Sequence, residues 1–330
     1  MKATANAGSN IAFVKYWGVG KGRSNRHVPL NPSVSMTLDV ARTTTTVAFL
    51  PGLKEDVCTI NNRPAPPDAL ERVRRVLDRV RKIARLKAFA RTVSVNHFPT
   101  SAGVASSASG FAALALAAAR AAGLADNLKL LVPLTILGSG SACRSLYGGY
   151  VLWSPPADGQ ASSRVRQLED EDHWQLVDLV AILSREQKAV PSEQGHLLAR
   201  TSPLLEGRLA SLGRIVTKVK KAIRERNLQA LGPWLEADAL CMHAVMMTSR
   251  PALLYWEPAT LAVVKAVRDL RVRRGLPCYF TIDAGPNVHV LTLPEQANTV
   301  TRALKKIEGV QEVLRCPTGR GAYLREESLF

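Results

Sequence analysis

Phe98 to Gly123 reads FPTSAGVASSASGFAALALAAARAAG. A turn of small and hydroxylated residues opens into an alanine-rich apolar run. Just before it, Arg91 to Phe98 (RTVSVNHF) alternates as a strand does. Just after it, Phe111, Leu114, Ala115 and Ala118 recur at helical spacing. The order is therefore strand, small-residue loop, helix. A helix start needs one capping side chain, yet four serines and two glycines crowd this mouth. A helix N-terminus offers unpaired N–H groups and a partial positive charge. Glycine lets the backbone approach a phosphate closely, and hydroxyls add hydrogen bonds or reach a metal ion. The stretch suits a phosphate cradle, though not a GxxxxGK[ST] loop, a pattern it lacks. On this loop alone, a capped and tightly packed helix remains the alternative.

Outward from that stretch, strands and helices mix. The first 50 residues read as extended structure and loops, with Arg42–Leu50 (RTTTTVAFL) a strand ending at a Pro-Gly turn. Leu70, Val73, Leu77, Val80 and Ala84 place an amphipathic helix over Asp68–Leu86, with a basic opposite face that reads as solvated. Gly138–Gly149 reads as a second Gly/Ser-dense loop leading into a strand, and Pro155–Arg164 as a surface hairpin. A strand-like run lies within His173–Ser184, and a domain boundary is expected near it. Helical patterns cover Arg208–Arg226, Leu228–Met247 and Pro294–Lys306, with strands at CYFTIDAG and VHVLTL and a tail mixing turn and strand. Strict βα alternation is missing, which indicates α+β layers.

The totals narrow the function classes. The chain has 330 residues and 46% hydrophobic residues, room for two domains with real cores. Its five cysteines show neither CxxC spacing nor a zinc-like Cys/His cluster, as suits a reducing cytoplasm. No signal-peptide core or membrane-length apolar run is read, so a cytoplasmic protein without membrane contact is expected. The formal charge is +17, from 44 basic and 27 acidic residues. That fits a solvated basic surface or an anionic partner. Aromatics are only 5%, without basic–aromatic interleaving, which argues against a dedicated nucleic-acid binder.

Three further segments carry chemistry. Gly138–Gly149 sets Arg144 and three serines among four glycines, and an arginine fork suits a carboxylate or phosphate. A turn with a surface arginine is the plainer reading. TIDAGPNVHV puts Asp283 at a strand end against a tight turn, where it is either a catalytic carboxylate or a turn cap. SNIAFVKYWGVGKG sets Lys15 beside Tyr16 and Trp17, to snorkel or to neutralise a phosphate.

Together, NIAFVKYWG (10–18), LNPSVSMTLD (30–39), FPTSAGVASSASGFAALALA (98–117), GSGSACRSLYGGY (138–150) and FTIDAGPN (280–287) resemble the mevalonate diphosphate decarboxylase family, within the GHMP kinase superfamily. The resemblance implies a two-domain GHMP-kinase fold. Residues 1–180 would form an ATP-binding domain with a left-handed βαβ unit. Residues 181–330 would form a ferredoxin-like domain, with the active site in the cleft between them. It implies ATP and Mg²⁺, a mevalonate 5-diphosphate or 5-phosphate substrate, and a homodimer. The 3-hydroxyl is phosphorylated, then phosphate and carbon dioxide leave to give the isopentenyl product. Asp283 would orient or deprotonate the hydroxyl, Arg144 would hold the carboxylate, Lys15 would offset phosphoryl charge, and Asn10 would fix Arg144 or the carboxylate. Tyr16, Trp17, Ser139, Gly140, Ser141, Ala142, Cys143 and Ser192 would line the substrate. Ser101, Ala102, Gly103, Val104, Ser106 and Ser107 would hold ATP, with Ser107 near the metal.

Two positions depart from the family pattern. Val19 stands where the family has a lysine on the distal phosphate, with Lys21 or Arg23 as substitutes, and Glu193 follows Ser192 where a Ser/Thr pair is usual. A carboxylate beside a second phosphate is repulsive. Rival readings are a GHMP small-molecule kinase that stops at phosphorylation, and a basic nucleic-acid-binding protein using the Arg72–Lys87 helix.

Overall fold

The computed structural model describes residues 1–20, 28–98, 106–156, 163–186 and 190–330. It is an α+β fold built on two sheets that share no strand. The larger has eight strands among the described residues. Its spine is the antiparallel pair β1 (Lys2–Val14) and β2 (Ser33–Leu50), both longer than the sequence pattern implied. β5 (Phe89–Asn96) pairs antiparallel with β2 and parallel with β3 (Val57–Ile60). The parallel step requires a crossover, supplied by α1 (Pro67–Ala84) after the short β4 (Arg63–Pro64). β6 (Tyr150–Ser154) joins the first part of β2, and β7 (Arg164–Glu169) joins β6 on the far side of the expected hairpin, whose tip at 157–162 lies outside the described residues. β12 (Tyr323–Arg325) returns from the chain end to the free edge of β1.

The quoted apolar run forms α2 (Ser106–Ala121), which lies across β1 and β2 with nearly every side chain buried. Its low amphipathicity follows from that position, since a helix apolar all round belongs inside. Alanine at most contacts lets the helix sit close to the sheet. α3 (Leu128–Gly138) closes the same layer and was not legible as a helix beforehand. The basic face of α1 is less free than its pattern implied. Arg81 forks onto the buried Asp56 at 2.7 and 2.8 Å, and Arg72 lies over the Phe111 ring.

The smaller sheet is antiparallel, in the order β11 (Glu312–Pro317), β8 (Val177–Ile182), β10 (Val288–Thr292), β9 (Cys278–Ile282). Between β8 and β9 run α4 (Ser192–Leu198), α5 (Leu205–Arg224), α6 (Leu228–Met247) and α7 (Pro258–Arg274), and α8 (Pro294–Leu304) links β10 to β11. That order and connectivity are ferredoxin-like. Asn227 starts α6 by accepting the Ala230 N–H, and Glu257 with Thr260 form a capping box for α7. A shared core of Phe13, Val34, Met36, Leu212, Leu231 and Leu235 seats the back of β1 and β2 against α5 and α6. That seating puts the end of β1 beside the end of β9.

Candidate active site

Two irregularities in β1 aim the site. The pairing shifts register between Gly8 and Asn10 and again between Ala12 and Val14. Such bulges bend a strand and re-aim its side chains. Gly8 permits the first, because a Cβ there would lie 2.2 Å from the Leu38 carbonyl oxygen. Asn10, just past the first bulge, and Lys15, just past the second, both reach the interior.

Lys15 is 1% exposed, and its Nζ stands 2.5 Å from Asp283 Oδ1. Asp283 follows β9 directly and keeps 29% of its side chain exposed, so the pair is closed behind and open in front. The Asp283 carbonyl accepts the Gly285 N–H at 2.7 Å and the His243 Nε2–H at 3.1 Å. The Lys15 backbone is gripped as well. Its N–H donates to Asp238 Oδ2 at 2.5 Å, and its carbonyl accepts from Arg208 Nη2 at 2.9 Å and Asn31 Nδ2 at 2.8 Å. Arg208 and Asp238 are themselves a fully buried ion pair at 3.0 Å.

Arg144 enters from the second Gly/Ser segment. This segment is not the open loop expected of it. Gly140–Leu146 is a largely buried 3₁₀ helix. Arg144 donates from Nη2 and Nε to Asn10 Oδ1 at 2.8 and 3.2 Å, and from Nη1 to Ser33 Oγ at 2.7 Å. Asn10 is fixed in turn, donating through Nδ2 to Ser145 Oγ at 2.8 Å. A guanidinium has five N–H groups. Among the described residues three are engaged, which leaves one on each terminal nitrogen. Burial lowers the Arg144 pKa, opposed by Cys143, Asp283 and Tyr16. A buried fork with two spare donors, beside a carboxylate–ammonium pair, has the chemistry to receive an anion.

Ser139 and Ser107 link this segment to the start of α2, with Ser139 Oγ donating to Ser107 Oγ at 3.4 Å. The first turn of α2 holds no acidic residue, and Ser106 and Ser107 sit on it, as a phosphate-binding helix start requires. Ser101, Ala102, Gly103 and Val104, with Lys21 and Arg23, lie outside the described residues. Ala142 and Cys143 have fully buried side chains. Cys143 donates to the Gly140 carbonyl, and burial pushes its thiol up to about 12, so these two offer a ligand backbone only. Ser141 accepts from Asn10 through its own carbonyl. Tyr16 packs edge-on to Trp153, and its buried hydroxyl finds no hydrogen-bond partner among the described residues. Gly140 is needed there, because a Cβ would come within 3.0 Å of that hydroxyl.

Ser192 and Glu193 open α4, which docks through His196. Its ring lies 4.2 Å from Tyr16 and 4.6 Å from Trp17, and Nδ1 accepts the Gly18 N–H at 3.0 Å. Burial raises the Tyr16 pKa and lowers that of Arg72, and the charge on Glu193 adds a smaller upward push on both. Val19 is buried, and its carbonyl accepts from Arg200. Among the described residues, no three His, Cys, Asp or Glu side chains could hold a metal ion.

Sequence reasoning missed Asn31, Ser33, Arg208, Asp238, His196 and His243. Asp238 and His243 did carry a signal, as ionisable residues inside the apolar pattern of α6.

Comparisons with known proteins find relatives along nearly the whole chain. Residues 7–164 match the diphosphomevalonate decarboxylase-like N-terminal domain. Residues 178–320 match the mevalonate 5-diphosphate decarboxylase C-terminal domain. The chain is 33% identical to phosphomevalonate decarboxylase of Haloferax volcanii over 92% of each chain. It is 34% identical to diphosphomevalonate decarboxylase of Bos taurus over 92% of this chain and 79% of that one. A solved structure described as "MDDEF in complex with MVAPP, AMPPCP and Magnesium" superposes with a TM-score of 0.91 at 35% identity, covering 99% of each chain.

Proposed function

The chain belongs to the diphosphomevalonate decarboxylase family, and from that premise we propose how its own residues divide the work and which substrate they fit. It is an ATP-dependent decarboxylase of a mevalonate 5-phosphoester, using ATP and Mg²⁺. The observation that carries the assignment of roles is the convergence of Lys15, Asp283 and Arg144 from distant segments.

Asp283 receives the 3-hydroxyl, orients it toward ATP and takes its proton as the phosphoryl group arrives. Lys15 offsets the charge that grows on the transferring group, from a position fixed on both sides of its backbone. Ser106, Ser107 and the α2 N-terminus hold the ATP phosphates. Ser107 would be the hydroxyl that reaches Mg²⁺, which when bound would supply charge neutralisation on those phosphates. Arg144 grips the C1 carboxylate with its two spare N–H groups while Asn10 and Ser33 hold the fork still. Phosphorylation turns a poor leaving group into a good one. As the 3-phosphate departs, the carbon–carboxylate bond supplies the electron pair for the new double bond, and carbon dioxide is released.

The 5-substituent we assign is a single phosphate. Val19 places a buried apolar side chain where the family pattern has a lysine, and Glu193 sets a carboxylate beside Tyr16. Both changes disfavour a second phosphate. Ser139, Ser141 and Ser192 serve the one that remains. The relative catalytic efficiency on mevalonate 5-phosphate and 5-diphosphate tests this. An advantage of about tenfold or more for the diphosphate would overturn it. Two domains meeting near residue 180 and a cytoplasmic homodimer complete the proposal. It is supported by the two separate sheets and by five free cysteines, which suit a reducing compartment. No described helix is long and apolar enough to cross a membrane.

A further inference from the structure

Lys15 and Asp283 follow strands of different sheets, β1 and β9, and neither strand fixes the distance between them. One helix touches both. Asp238 on α6 accepts the Lys15 N–H at 2.5 Å. His243, five residues further along α6, donates from Nε2 to the Asp283 carbonyl at 3.1 Å. That carbonyl also accepts the Gly285 N–H at 2.7 Å, so both its lone pairs are used and the turn that aims the carboxylate is closed.

The state of His243 is fixed by its surroundings. A carbonyl can only accept, so Nε2 carries the proton. Burial, and then the charge on Lys15, lower its pKa to about 4 against smaller upward effects of the Asp283 and Ile282 backbone and the Asp283 charge, and the ring is neutral near pH 7. It is 1% exposed and backed by the Trp256 ring at 5.0 Å. An imidazole so enclosed, with its one N–H committed to backbone, does not transfer protons to a substrate.

We propose that α6 is a brace for the reaction centre, in which His243 is a positioning residue that holds Asp283 through its backbone while Asp238, paired with Arg208, holds Lys15 through its own. The inference rests on Lys15 and Asp283 acting in phosphoryl transfer, as assigned above. A misplacement of about 1 Å at such a centre costs on the order of 10²-fold in rate. The brace therefore acts on turnover rather than on substrate affinity.

The test uses the full-length protein with His243→Leu and His243→Gln, the latter restoring a side-chain N–H at the end of a chain of similar reach. ADP and carbon dioxide are followed separately, and amide exchange at Gly285 is measured without substrate. His243→Leu should lower kcat for ADP formation about 100-fold, with KM for ATP and phosphoester within about threefold of wild type. His243→Gln should recover at least about tenfold of that loss, and Gly285 should exchange faster in the leucine variant. The proposal is overturned by a folded His243→Leu with kcat within about threefold of wild type, by a loss confined to KM, or by a glutamine variant as slow as the leucine one. If His243→Leu does not fold, His243→Gln decides alone, and a loss beyond about 100-fold overturns the brace. Wild-type ADP without carbon dioxide would defeat the decarboxylase reading while leaving this comparison intact. With no ADP from either phosphoester, the assigned function fails, and unchanged Gly285 exchange in His243→Leu would then overturn the brace on its own.

Discussion

Lys15 Nζ lies 2.5 Å from Asp283 Oδ1, although 268 residues separate the two in the chain. The pair is shielded behind by Lys15's burial and open toward solvent on the Asp283 side. Asp283→Asn keeps the shape and removes the proton acceptor. It should lower kcat by about 10³-fold with little change in KM for ATP, measured as ADP formation in single-turnover and steady-state assays.

Arg144 holds its place through Asn10 and Ser33, and among the described residues two of its N–H groups stay without a hydrogen-bond acceptor, the two we assign to the substrate carboxylate. Arg144→Lys keeps a cation and loses the fork. It should raise KM for the phosphoester at least about tenfold, and carbon dioxide should fall further than ADP. Asn10→Ala should reproduce a weaker form of the same defect, because the fork survives but turns. Equal loss of ADP and carbon dioxide in Arg144→Lys would separate Arg144 from the carboxylate.

The buried Arg208–Asp238 pair has no exposed face. Removing one partner leaves a buried charge alone, at a cost of about 3–5 kcal/mol. Arg208→Met should show that loss in urea unfolding, together with reduced turnover from the released Lys15 carbonyl. The double variant Arg208→Met/Asp238→Leu should regain much of the stability without regaining the turnover.

His243 also sets a pH dependence of stability. Its native pKa is lowered to about 4 from 6.5, so below pH 6.5 the unfolded chain takes up a proton that the native chain refuses. Stability from this group is complete above pH 6.5 and is lost as pH falls toward 4. The loss is about 2 kcal/mol by pH 5. Urea midpoints at pH 7 and pH 5 should differ accordingly in the wild type, and the difference should shrink in His243→Gln.

Much of this site was legible in the sequence, because its ligand-facing residues sit in segments of unusual chemistry. Serines at a helix mouth, an arginine among glycines and an aspartate at a strand end each invite an anion or a proton. The Lys15–Asp283 contact was not legible, since spacing says nothing of two strands that end side by side. Asp238, Arg208 and His243 were hidden for a different reason. Their partners are backbone groups, and no sequence pattern marks which backbone a buried side chain will meet. The 3₁₀ helix at Gly140–Leu146 read as a loop because its glycines and serines are turn formers when nothing packs on them. α7 escaped notice because its valines suggest a strand and its arginines blur the apolar stripe of Val263, Val267 and Leu270.

We assign substrate choice to the buried Val19 and to Glu193, whose charge acts on Tyr16. The double substitution Val19→Lys/Glu193→Ser should shift the efficiency ratio toward mevalonate 5-diphosphate by about tenfold or more, leaving kcat on the monophosphate within a few-fold. An unchanged ratio would remove both residues from specificity.

The most direct test of the whole account is the stoichiometry of ADP to carbon dioxide. Purified protein is given ATP, Mg²⁺ and mevalonate 5-phosphate, with Asp283→Asn run beside it. One carbon dioxide is expected for each ADP, with both products from the variant formed about 10³-fold more slowly. ADP without carbon dioxide would make the protein a 3-kinase and contradict the role given to Arg144. Undiminished turnover by Asp283→Asn would contradict the role given to the Lys15–Asp283 pair.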